Sequence, residues 1–156
     1  MAYWEGRRVA REVLTMREIL FRGKRIDNGE WAVGYLGVFK DGTQIYVPFT
    51  EEEERKYRGH IFSAIGGLWY AVDPSTVGQY TGLTDKNGKR IFEGDIVEGV
   101  DYDADDGFGV VCWNDGAFEV GNGSWCGTFH DNYFGRDFEI IGNIHDNPEL
   151  MGGAAE

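Results

Sequence analysis

From residue 16 onward, apolar and polar side chains alternate in short runs separated by glycine-containing turns. Met16-Arg17-Glu18-Ile19-Leu20-Phe21-Arg22 reads as an alternating strand. Trp31 to Phe39 is a second strand, bounded by Asp27-Asn28-Gly29 and Lys40-Asp41-Gly42, and Gln44 to Phe49 returns beside it as a hairpin. Pro48 has no N–H to give to a ladder, so it predicts an edge or an exit position. The period then changes. Thr50, the four acids Glu51 to Glu54 and the bases Arg55, Lys56 and Arg58 suit the dipole of one short helix, with Thr50 as its cap. Adjacent helical acids point around the axis, so these glutamates do not converge on a metal.

The second half repeats the strand pattern. His60 to Ile65 and Leu68 to Val72, joined by Gly66-Gly67, predict a hairpin. Val77 to Thr84, the turn Asp85-Lys86-Asn87-Gly88 and Lys89 to Phe92 predict another. A strand starts at Gly94-Asp95-Ile96-Val97, and Gly109 to Trp113 pairs with Ala117 to Val120 across Asn114-Asp115-Gly116. Phe138 to Ile144 is the last strand, before Asn147-Pro148.

Composition agrees with a mainly β chain. Its 156 residues suit one compact domain, and 42% hydrophobic with 15% aromatic residues argues against disorder. Glycine at 24 positions against three prolines reads as many tight turns. The expected architecture is a β-rich barrel or sandwich with one short helix. Residues 1–15 read as an N-terminal extension, 16–151 as the β domain and 152–156 as a loose tail, with Met16 a candidate natural start. Within the extension, Val9, Val13 and Leu14 leave a short amphipathic helix and a frayed arm both open.

Charge narrows the partners. The formal net charge of -12 argues against duplex nucleic acid as a partner. Residues 1–25 hold seven basic side chains against Glu5, Glu12 and Glu18, a surplus of four that leaves -16 on the remainder. No apolar run approaches the ~18 residues of a membrane span, and no secretory leader is visible, so a cytoplasmic protein with no membrane partner is expected. Cys112 and Cys126 lack metal-type spacing and read as reduced thiols.

Several blocks together resemble the YopX family of phage and prophage proteins. They are Met16-Arg17-Glu18-Ile19; Val77-Gly78-Gln79-Tyr80-Thr81-Gly82-Leu83; Asp85-Lys86-Asn87-Gly88 leading to Ile91-Phe92-Glu93-Gly94-Asp95-Ile96-Val97; and Ile141-Gly142-Asn143-Ile144-His145-Asp146-Asn147-Pro148-Glu149-Leu150. The likeness runs from about Met16 to Leu150. It implies a small, mostly β, phage-encoded protein with SH3-like elements that self-associates, and it supplies no catalytic residues. Residues 1–15 fall outside the family pattern, and Phe49 to Asp73 is where members vary most.

The strongest chemical feature is Gln79, Tyr80 and Thr81 followed by Lys86, Asn87, Lys89 and Arg90 around a glycine turn, with Trp69 as a further ring. Cations, turn N–H groups and an aromatic face suit a small anionic nucleotide. A plain hairpin with Tyr80 packed inside explains the same residues without a ligand. Asp101, Asp103, Asp105 and Asp106 are similar to a calcium loop, but Gly107 comes one place late and Cys112 stands where a closing glutamate belongs. Between Ile91 and Gly135 there are ten acids and no lysine or arginine, a negative face by which an acidic 93–119 module would block a basic host surface, and which ordinary solubility explains equally well.

Catalysis has little support. His60, His130 and His145 sit in no recognised motif, and a metal-dependent hydrolase would have to use Glu93, Asp95 and the aspartate run. Trp4, Trp31, Trp69, Trp113 and Trp125 suit core or subunit interface, and Trp69-Tyr70 must send one ring outward, as a homo-oligomer would cover. The leading expectation is a non-enzymatic oligomer, without cofactor or metal, that sequesters a small nucleotide signal of host anti-phage immunity. The acidic interaction module and the hydrolase are the alternatives.

Overall fold

The computed structural model describes residues 17–99, 107–121, 126–128 and 138–151. Among the described residues, eleven strands form two antiparallel sheets. The first contains β1 (Phe21–Lys24), β2 (Trp31–Phe39), β3 (Gly42–Pro48), β4 (Gly67–Ala71), β5 (Gly78–Thr84) and β6 (Arg90–Phe92), in the order β4-β3-β2-β1-β5-β6. The second contains β7 (Asp95–Glu98), β8 (Phe108–Asn114), β9 (Ala117–Gly121), β10 (Cys126–Thr128) and β11 (Glu139–Asn143), in the order β10-β9-β8-β7-β11. One helix, α1 (Glu51–Lys56), and short 3-10 turns complete the described residues.

The mainly β expectation holds, as two packed sheets and not as a closed barrel. The first sheet does curl: Arg25, just after β1, bridges Val72, just after β4, and Ile26 N–H donates to the Ala71 carbonyl. The curl encloses Ala32, Ile45 and Val72, with Phe21, Leu36, Val47, Tyr70 and Val77 around them. On the opposite face of the same sheet Leu20, Tyr80 and Phe92 pack with Val33. The second sheet is built on Ile91, Val97, Val111, Val120 and Phe138. Because strand side chains alternate, β6 places Ile91 in the second sheet's core and Phe92 in the first's. That single strand joins the layers.

The local signals mark most elements. Thr50 caps α1 with a full capping box, donating its backbone N–H to Glu53 at 2.8 Å while its hydroxyl accepts from Glu53 N–H. Asp115 and Gly116, at φ 47° and 87°, make the two-residue turn between β8 and β9. The His60 to Ile65 strand is a correction. Ile61–Ala64 is a 3-10 turn, and β4 pairs with β3 in the register Leu68↔Val47 and Tyr46↔Trp69. Gly66 and Gly67 serve that return: Gly66 lies at φ 63°, and a Cβ on Gly67 would sit 2.4 Å from the Val47 carbonyl oxygen. The first strand is also shorter at its start than the alternation suggests, because pairing with β2 begins at Phe21↔Gly34. Pro48 marks an exit, since β3 has neighbours on both sides and Pro48 is its last residue. β10, paired with β9, has no counterpart in the sequence reading. Residues 1–16, the aspartate run 101–106, Trp125, His130 and the tail 152–156 lie outside the described residues.

Candidate functional site

The eight residues of the nucleotide expectation do not form one site. Trp69 lies on β4 and Arg90 on β6, at opposite ends of the six-stranded order. Trp69 is 44% exposed and packs against Tyr46 and Phe39, at ring centroid distances of 5.2 and 5.3 Å, while Tyr70 turns into the core beneath. Tyr80 is buried against Phe92, so it presents no free face for stacking. Thr81 is buried too, its hydroxyl donating to the Ile91 carbonyl at 3.0 Å. Gln79 is half-buried, and its backbone N–H donates to Glu93.

The turn between β5 and β6 is organised by Asp85. This buried carboxylate accepts from the N–H groups of Asn87 and Lys89, each at 2.9 Å, and from Ile140 N–H of β11 at 3.2 Å. Burial pushes its carboxyl up, but the Lys89, Ile140 and Asn87 donors outweigh that and leave it below its ordinary value. Asn87 is exposed, and Lys86 is paired with Glu139. Arg90 reaches Glu18 at 3.0 Å. Among the described residues the Lys89 ammonium has no carboxylate partner.

Lys89 and Arg90 instead open onto a cleft of about 600 Å³ where the two sheets meet. One wall is Arg22, Trp31 and Val33 of β1 and β2; the other is Ile140 to Asn143 of β11 with Asp146 and Asn147 of the following turn. Sequence reasoning assigned none of these wall residues to the binding site. Trp31 and Arg22 looked like core and strand, and only the β7–β11 pairing carries the Asn143 to Asn147 turn across to them. The one local sign was the cluster of Asn and Asp in Asn143-Ile144-His145-Asp146-Asn147, the composition of a side-chain-bonded turn.

Two ion pairs pin the sheets together at this cleft. Arg22 meets Asp95 at 2.5 Å with both side chains nearly excluded from water. Asp95 also accepts from Phe92 N–H at 2.8 Å. Its burial pushes the carboxyl above the ordinary value despite the guanidinium beside it. Lys24 meets Asp146 at 2.5 Å, and the same carboxylate accepts from Trp31 Nε1–H at 2.7 Å and Asn143 Nδ2–H at 2.8 Å. Asn143 and Lys24 together hold Asp146 well below the usual carboxylate range. His145, its ring 5.9 Å from Trp31, is pushed down by burial and by Arg22 and Lys24, which favours the neutral imidazole. Glu93 and Asp95 are engaged separately, by Gln79 N–H and by Arg22, and among the described residues no three acid, His or Cys side chains converge on a metal position. Of the acidic stretch, Glu98 and Asp115 are exposed, whereas Asp95 belongs to the interior. No helix among the described residues is long and apolar enough to cross a membrane.

Chemically, the cleft is lined by the cations Arg22, Lys89 and Arg90 and the carboxylates Asp95 and Asp146, beside an indole and two isoleucines, with Arg22 paired to Asp95 and Arg90 to Glu18. That leaves Lys89 as the cleft cation in no ion pair among the described residues, in a chain of net charge -12, a position suited to a small anion that carries a planar apolar part. The family model described as YopX protein matches residues 21–152. A crystal structure of protein EF1440 from Enterococcus faecalis is similar at 21% identity, covering 87% of this chain and 99% of that one, with a TM-score of 0.44. No curated protein matches the chain.

Proposed function

This chain belongs to the YopX family, and on that premise we propose a non-enzymatic, phage- or prophage-borne protein that holds a small anionic ligand of the nucleotide class between its sheets. The observation that carries the reading is Lys89, an ammonium without a carboxylate partner among the described residues, set beside Arg90 at the mouth of a cleft walled by Trp31. A mononucleotide reaches one cationic cleft, while an extended polyanion meets the net charge of -12 on the rest of the molecule. Sequestration of a host nucleotide signal in the cytoplasm is the role this binding serves. Self-association belongs to the same proposal, since Tyr35, Phe39 and Trp69 leave an aromatic strip of the first sheet uncovered.

Calorimetry and thermal shift against linear and cyclic nucleotides test this. Micromolar binding that weakens with added salt and in Lys89→Glu is the expected result, and the absence of any micromolar binder ends the reading.

A further inference from the structure

Arg22 is 9% exposed, lines the cleft and has each end of its guanidinium engaged. One terminal nitrogen pairs with Asp95 at 2.5 Å, and the other donates to the Glu93 carbonyl at 3.0 Å. The plane rests between the Trp31 and Phe92 rings, 4.8 and 5.1 Å from their centroids. The third nitrogen, Nε, is shielded from solvent, and its N–H has no hydrogen-bond partner among the described residues. A buried donor left without a partner is costly, and folded proteins rarely keep one.

The chemistry of that donor is unlike the rim's. The charge of Arg22 is already neutralised by Asp95, so what remains is a single directed N–H in an apolar setting. A second anion there would face the Asp95 carboxylate, whereas a neutral carbonyl oxygen would not. The anionic group belongs instead at Lys89, the cleft cation in no ion pair among the described residues.

We propose that the Arg22 side of the cleft is a carbonyl-acceptor subsite, in which Arg22 Nε–H donates to the keto oxygen of a ligand heterocycle while Lys89 holds its phosphate. This rests on the cleft reading above and sharpens it to keto-base nucleotides. Guanine and uracil present a carbonyl oxygen, and adenine presents an amino donor where guanine has O6, which sets donor against donor. Trp31, half-buried and tied to Asp146, stands beside this subsite.

The test uses the full chain labelled with [15N]arginine and titrated with guanosine, uridine and adenosine 5′-monophosphate and with inorganic phosphate. The expected result is guanosine or uridine monophosphate binding about tenfold or more tighter than the other two, with the Arg22 Nε–H resonance moving for the keto bases and not for phosphate. Arg22→Lys keeps a cation against Asp95 without the Nε donor, and it should lose the base preference while still binding phosphate. Equal binding of all three nucleotides with an unmoved Nε–H signal overturns the subsite and leaves the anion site standing. No binding of any nucleotide removes both, and the wild-type resonance decides the matter even where Arg22 tolerates no substitution.

Discussion

Arg22 of β1 and Asp95 of β7 meet at 2.5 Å across the joint of the two sheets, with Asp95 only 1% exposed. Breaking one partner of such a pair strands the other charge without solvent. Asp95→Asn should therefore cost about 3–5 kcal/mol in urea unfolding. The double replacement Arg22→Met with Asp95→Leu should cost less, because no buried charge is left behind and the remaining loss comes from the Phe92 N–H and Glu93 carbonyl deprived of their partners. Equal losses in the single and double variants would refute this account of the joint.

Asp146 gives the acid limb of stability its shape. Its folded carboxyl titrates below the ordinary 3.8 because Asn143, Lys24 and Trp31 all favour the charged form. A lowered carboxylate stabilises fully above its unfolded value and loses that contribution as pH falls through the folded one. Stability measured from pH 5 downward should thus fall less steeply in Asp146→Asn than in the native chain.

Gly34 and Gly29 should respond in opposite degree to alanine. A Cβ on Gly34 would lie 2.0 Å from the Tyr46 carbonyl oxygen, inside the sheet, so Gly34→Ala should cost at least about 3 kcal/mol or prevent folding. Gly29 sits at φ 74° in an open turn with nothing near its Cβ direction, and the alanine there should cost about 1 kcal/mol, from backbone strain alone. Thermal melts of the two variants compare them directly.

Asp85→Ala removes the acceptor of three backbone N–H groups at once, one of them on β11. Thermal and chemical unfolding should show a loss of about 2–4 kcal/mol. Amide exchange should quicken first at Asn87, Lys89 and Ile140, since those donors lose their partner.

Lys89 and Lys86 flank the same turn but should separate in binding. Lys89→Ala should lower affinity for a nucleotide monophosphate about tenfold with only a small change in melting temperature, its ammonium being in no ion pair among the described residues and acting on Asp85 and Asp95 only at longer range. Lys86→Ala should leave affinity unchanged, because its ammonium is paired with Glu139 and lies outside the cleft.

Elements set by neighbours in the chain were legible before any coordinates. The Trp31 to Phe39 strand, the capped helix after Thr50 and the Asn114-Asp115-Gly116 turn each follow from side-chain period, capping or positive φ within a few residues. The His60 to Ile65 segment misled because Ile61 and Ile65 imitate a buried strand, yet both are exposed, at 83% and 52%. Hydrophobicity alone does not supply a pairing partner, and β4, the strand this segment was expected to pair with, is already paired with β3.

Sequence by itself determined the antiparallel β class, the turns and the anionic surface, all properties of short windows or of the whole count. Only the tertiary structure decided that Tyr80 packs while Trp31 lines a cleft, and that Arg22 faces Asp95. The reason is geometric. Alternation assigns each side chain to one of two faces, but which face a distant sheet then covers depends on strand order and curl, and those arise from pairings between segments far apart in the chain.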